Sequence, residues 1–63
     1  MNNNLSSNWC PDFGETYWYI HEGKIVSDIF REDNYQIEDF WNDNMYKTKL
    51  LAINALIEQV TNE

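Results

Sequence analysis

The stretch TKLLAINALIEQVT, at positions 48–61, carries the one clean helical period in this chain of 63 residues. Leu50, Ile53, Leu56, Ile57 and Val60 recur at spacings of three and four, and Leu51, Ala52 and Ala55 widen the stripe. Thr48 stands where an N-cap belongs, and Asn62 falls where such a helix frays. A lone helix of this length is marginal in water, so the preceding chain must supply a surface for it. The stripe is expected to close the core against that surface.

Working outward from the helix, TYWYIH at 16–21 is the strongest strand signal, a run of aromatic and β-branched residues. Tyr17 and Tyr19 fall on one face, Trp18 and Ile20 on the other. Both faces are bulky, which predicts a strand covered on both sides. Glu22-Gly23 makes a turn, and KIVSDIFR at 24–31 is the hairpin partner, with Ile25 and Ile29 expected against the helix. Glu32-Asp33-Asn34 is a polar turn. YQIEDFW at 35–41 is taken as irregular chain entering a loop, with Phe40 or Trp41 tucked under the helix. Asn42-Asp43-Asn44 is a second polar turn, and Met45-Tyr46-Lys47 is a candidate for a short third strand. Upstream, Pro11 and Gly14 frame a turn, with Trp9 and Phe13 each closing an edge of the core. The expected architecture is α+β: a two- or three-stranded antiparallel sheet packed against one C-terminal helix. Residues 1–8, MNNNLSSN, form a disordered lead-in, and residues 9–63 a single small domain.

A chain this short buries a thin core. It has one cysteine, Cys10, so no internal disulfide is possible, and a free thiol suits a reducing compartment. Ten aromatic side chains can build a small core from few positions. Self-association would bury more, so a homodimer is expected, with Leu51 at its seam. The N-terminus lacks the basic segment and apolar run of a signal peptide, and no stretch reaches transmembrane length; a cytoplasmic location is expected.

The formal charge is −7, and its placement is uneven. Nine carboxylates lie between positions 12 and 43, opposed only by Lys24 and Arg31. That sign argues against direct binding of nucleic acid, which demands lysine and arginine. It suits a face that docks on a basic protein surface. Glu32, Asp33, Glu38, Asp39 and Asp43 are the densest acid, and they can stand in for backbone phosphates in the basic groove of a nuclease or another DNA-binding protein. Tyr35 and Trp41 interleave with them as anchors. Glu32, Asp33, Tyr35, Glu38, Asp39, Trp41 and Asp43 are therefore the expected partner-binding set.

Pro11, Gly14, Glu15, Tyr17, Trp18 and Ile20, then Gly23, Val26, Asn44, Tyr46 and Thr48, form a pattern of Pro/Gly turn, aromatic strand, Gly hairpin turn, second strand and Thr-capped helix. It covers most of residues 11–55 and resembles small acidic proteins of phages and prophages of Gram-positive bacteria. Lys49-Leu50-Leu51 departs from the acidic residues that usually open that family's helix. The resemblance implies a hairpin-plus-helix fold and a phage accessory protein in the cytoplasm of a bacterial host. By analogy with small acidic phage proteins, it implies one that binds and inhibits a host defence or DNA-handling protein. The alternative is a structural or regulatory homodimer without inhibitory role.

No catalytic, cofactor or metal site is expected. His21 has no nucleophile near it in sequence except Cys10. Cys10, Asp12, Glu15 and His21 lack zinc-site spacing. Asp39, Asn42, Asp43 and Asn44 lack the glycine and the bidentate glutamate of a calcium loop.

Overall fold

A computed structural model of the chain describes residues 9–61, so the expectations for residues 1–8 and for Asn62 lie outside the described residues. Strands β1 (Thr16–His21) and β2 (Lys24–Ile29) form an antiparallel hairpin, followed by helices α1 (Asn34–Trp41) and α2 (Lys49–Thr61). The architecture is α+β, with the C-terminal helix packed on the sheet and a second helix before it.

The hairpin closes through Glu22 and Gly23, both at positive φ (52° and 77°). Two successive left-handed residues match the right-handed twist of paired strands. The turn sets the register from His21 opposite Lys24 to Thr16 opposite Ile29. Alternation then puts Tyr17 and Tyr19 with Asp28 and Val26 on one face, and Trp18 and Ile20 with Ser27 and Ile25 on the other. Pairing continues past the strand ends. The Phe30 N–H donates to the Glu15 carbonyl (2.9 Å), and the Gly14 N–H donates to the Phe30 carbonyl (2.8 Å). Gly14, at φ 85°, lets the chain turn there.

The candidate third strand is reduced to a single bridge. Trp18 and Tyr46 exchange backbone hydrogen bonds of 2.9 and 2.8 Å. Two residues along β1, the Asn44 side chain replaces the backbone: its Nδ2 donates to the Ile20 carbonyl (2.9 Å), and its Oδ1 accepts from the Ile20 N–H (3.0 Å). The outer edge of β1 is thereby covered without a strand.

The core is Tyr17, Phe30 and Met45, with Trp9, Tyr19 and Phe40 packed around it. Tyr17 and Phe30 meet edge to face, ring centroids 6.3 Å apart. Trp9 closes an edge as expected, whereas Phe13 does not: its ring stands in solvent beside the Gly14 turn.

Segment 35–41 is a helix, not irregular chain. Asp33 is the N-cap (φ −68°, ψ 157°), and the third helical residue, Gln36, accepts the Asp33 N–H on its Oε1 (3.2 Å). Phe40 joins the core as expected; Trp41 is exposed. At α2, Thr48 is the cap: its Oγ1 accepts the Leu51 N–H at 3.2 Å. The buried side of α2 differs from the expected stripe. Ala52 is fully buried, and Ile53, Ala55 and Leu56 are half-buried. Leu50 (65% exposed), Ile57 (55%) and Val60 (67%) face outward. The small alanine is what lets the helix backbone approach the two strands; the larger residues are carried round to the flank. Ile29, expected beneath this helix, is likewise half exposed.

Candidate functional site

The expected partner-binding residues all lie on α1 and the turns at either end of it, and one buried glutamine holds that segment in place. Gln36 is completely buried. Its Nε2 donates to the Ile29 carbonyl (2.8 Å), and its Oε1 accepts the Arg31 N–H (2.7 Å) as well as that of Asp33. These bonds satisfy the backbone where β2 ends and the chain turns into α1, so the turn is fixed from inside. Glu32 sits at its apex with φ 61°.

Arg31 clamps the same turn from outside. Its Nη1 lies 3.3 Å from Asp28 Oδ1, its Nε 3.1 Å from Asp33 Oδ2, and its Nη2 2.8 Å from the Tyr35 hydroxyl. The Tyr35 hydroxyl in turn donates to the other oxygen of Asp28. The Tyr35 hydrogen bond, backed by Ile29 N–H and Arg31, holds the Asp28 carboxyl below its ordinary range. Arg31 is therefore spent on Asp28 and Asp33, and its charge does not offset the carboxylates beyond them.

The seven expected residues divide into two groups. Glu32, Tyr35, Glu38, Trp41 and Asp43 are exposed. Asp33 is half-buried against Arg31. Asp39 turns inward: it is half-buried, the Tyr17 hydroxyl donates to it (3.5 Å), and burial raises its carboxyl above the usual range. The same burial pushes the Tyr17 phenol well above its ordinary value. Asp39 thus belongs to the junction of α1 with the core and is not part of the outward field.

The outward side of α1 carries an apolar pair. Trp41 is 77% exposed, and Ile37, one turn before it, is 40% exposed. Phe40 meets the Trp41 ring edge-on, centroids 5.5 Å apart, and so connects it to the core. Ile37 was not among the expected site residues. Its spacing of four from Trp41 is visible in the sequence once 34–41 is known to be helical. Leu51, expected at a dimer seam, is half exposed on α2, rotated about 100° round the helix from Leu50.

Elsewhere, Cys10 is exposed with its thiol on the Pro11 carbonyl, and His21 is exposed with Nε2 3.8 Å from Glu22. Among the described residues no group of three His, Cys, Asp or Glu side chains is placed to hold a metal ion, and no helix is long and apolar enough to cross a membrane. No family model, curated protein or solved structure matches this chain. The likeness to phage proteins rests on the residue pattern alone.

Proposed function

We propose that the chain is a non-enzymatic binding protein whose α1 face docks on a basic surface of another protein, of the kind that handles DNA. The observation that carries this reading is Trp41. A tryptophan left 77% exposed, steadied by Phe40 and paired with Ile37, loses most of its area to water unless something covers it. Glu32, Glu38 and Asp43 stand exposed on the same segment, in a chain of net charge −7. Carboxylates round an aromatic anchor give a partner both steering and a hot spot. In the phage setting that the sequence pattern suggests, the partner is a host nuclease or other defence protein in the bacterial cytoplasm, and docking inhibits it by occupying the groove that holds DNA.

The test is capture of basic, DNA-binding proteins from a bacterial host lysate on the immobilised chain. The retained proteins should elute as salt rises and be displaced by duplex DNA. Glu38→Lys with Asp43→Lys should abolish retention. If nothing is retained, or if retention ignores both salt and DNA, the reading is wrong.

A specific observation favours a second reading, a small homodimer with a structural or regulatory role. Leu50, Ile57 and Val60 leave a run of apolar side chains open along α2.

A further inference from the structure

We infer that the group seated on Trp41 is an arginine side chain of the partner, its guanidinium stacked on the indole and paired with Glu38. The inference rests on the α1 docking just proposed, and names what that face recognises.

Three observations carry it. The first is the open ring. Trp41 is 77% exposed, yet Phe40 meets it edge-on with centroids 5.5 Å apart, so the indole is steadied and still leaves a face to solvent. Helical side chains lean toward the N-terminus, which lays this ring over the turn that carries Ile37 and Glu38. Ile37 is 40% exposed, and Glu38 is exposed. An apolar side chain, a flat π-surface and a carboxylate thus come together within one turn.

The second is sign. The face of an indole is negative. The C-terminal end of a helix carries partial negative charge, and α1 ends at Trp41 with no basic residue in its last turn. The charged residues of α1 are Glu38 and Asp39, both acids. Asp39 turns inward to Tyr17, so Glu38 is the one that faces out. Ring, helix end and carboxylate all attract a cation to the same spot.

The third is that the chain's own cations stand elsewhere. Arg31 is held by Asp28 and Asp33 at the opposite end of α1. Lys49 lies over Trp18, its Nζ 5.9 Å from the ring centroid. Among the described residues, no cation lies over Trp41 or pairs with Glu38. The half-buried Trp18 thus has its cation from within the chain, and Trp41 is built to take one from outside.

Arginine fits this seat better than lysine. Its guanidinium is flat and weakly hydrated, so it lies on the indole while its N–H edge meets a carboxylate, and its methylenes cover Ile37. The lysine ammonium is a strongly hydrated point charge and stacks on nothing.

NMR titration of the isotope-labelled chain with oligo-arginine and oligo-lysine of equal length tests the seat. Trp41→Leu identifies the Trp41 indole signal by its loss, and far-UV circular dichroism verifies that this surface variant remains folded. Oligo-arginine should shift the Trp41 indole N–H, leave that of Trp18 in place, and bind about fivefold tighter than oligo-lysine. Trp41→Leu should erase that preference, and Glu38→Gln should weaken oligo-arginine about threefold. Equal affinity for the two peptides, a preference that survives Trp41→Leu, or a Trp41 signal unmoved at ~1 mM oligo-arginine overturns the arginine seat. An affinity unchanged in Glu38→Gln overturns the pairing with Glu38. In each of these cases the docking reading stands or falls separately, on the lysate capture.

Discussion

Helix α1 buries a glutamine beside Phe40 and helix α2 an alanine alongside Ile53 and Leu56, and each carries other large apolar residues out to solvent. In α1, Gln36 is buried and bonded to three backbone positions, while Ile37 and Trp41 face out. In α2, Ala52 is buried, while Leu50, Ile57 and Val60 face out. The two regions differ in what surrounds those outward residues. Around α1 stand exposed carboxylates at Glu32, Glu38 and Asp43; α2 is nearly neutral. The same device therefore yields two different surfaces. One is acidic with an aromatic at its centre; the other is apolar and nearly uncharged. In a domain this small, a buried polar anchor or a small residue fixes a helix in place and leaves its bulk free for contacts with other molecules.

That contrast can be broken by substitution, and the largest effect should come from the polar anchor. Gln36→Ala leaves the N–H groups of Arg31 and Asp33 without their partner and the Ile29 carbonyl with only the Arg31 guanidinium, and should cost about 3 kcal/mol in urea or thermal unfolding. A cost under about 0.5 kcal/mol would mean that water replaces the side chain freely and that α1 is held by something else. Removing the cap of the other helix should be milder. Thr48→Ala loses the Leu51 N–H bond and should cost about 1 kcal/mol, with helical signal lost from α2.

Two carboxylates beside α1 should respond to pH in opposite senses. Asp28 has a folded pKa below its unfolded value, so the stability it contributes is present above the unfolded pKa and is lost as pH falls through the depressed folded one. Asp28→Asn should thus lower the melting temperature at pH 7, and the difference from wild type should close in acid below the ordinary carboxylate range. Asp39 has a folded pKa above its unfolded value, because burial penalises its charge. Its ionised form weakens the fold once pH exceeds the unfolded pKa, and that penalty is complete above the folded one. Asp39→Asn should raise the melting temperature at pH 7, with the gain vanishing below pH ~4. Melting curves of both variants between pH 3 and 7 check the pair of signs. The smallest effect belongs to the outward row of α2. Leu50→Ala should change monomer stability by no more than about 0.5 kcal/mol, since its side chain is 65% exposed; a loss of 2 kcal/mol would place Leu50 in the core after all.

Much of the scaffold was legible in the residue pattern. The aromatic alternation of 16–21, the Glu22-Gly23 turn and the Thr48 cap each correspond to an observed element. The α+β class follows from the hairpin and the C-terminal helix. What the pattern hid is α1, because a hydrophobic period finds a helix by the residues it buries. Here the buried residue is Gln36, and Tyr35, Ile37 and Trp41 look outward. A different signal was present in Asp33-Asn34-Tyr35-Gln36, where a capping residue is followed three positions later by glutamine. The same limit applies to α2. Its period shows that a helix forms, but a stripe five residues wide does not say which edge meets the sheet, and Ala52 settled that by its size. Of the two- or three-stranded alternatives the sheet takes the first, because beyond the Trp18–Tyr46 bridge the Asn44 side chain takes over hydrogen bonding that a strand would otherwise provide. For the candidate site, the exposed acid and Trp41 could be named from residue types alone. That Asp39 turns inward to Tyr17, and that Asp33 is tied to Arg31, depends on contacts between residues distant in sequence or on a turn at positive φ.

The division of labour between the two helices is tested most directly by repeating the lysate capture with one variant on each face. Trp41→Ala should abolish retention of basic, DNA-binding proteins, and Leu50→Gln/Ile57→Gln should leave it intact. Retention that survives Trp41→Ala, or that disappears with the α2 variant instead, would contradict the assignment of the heterologous partner to α1.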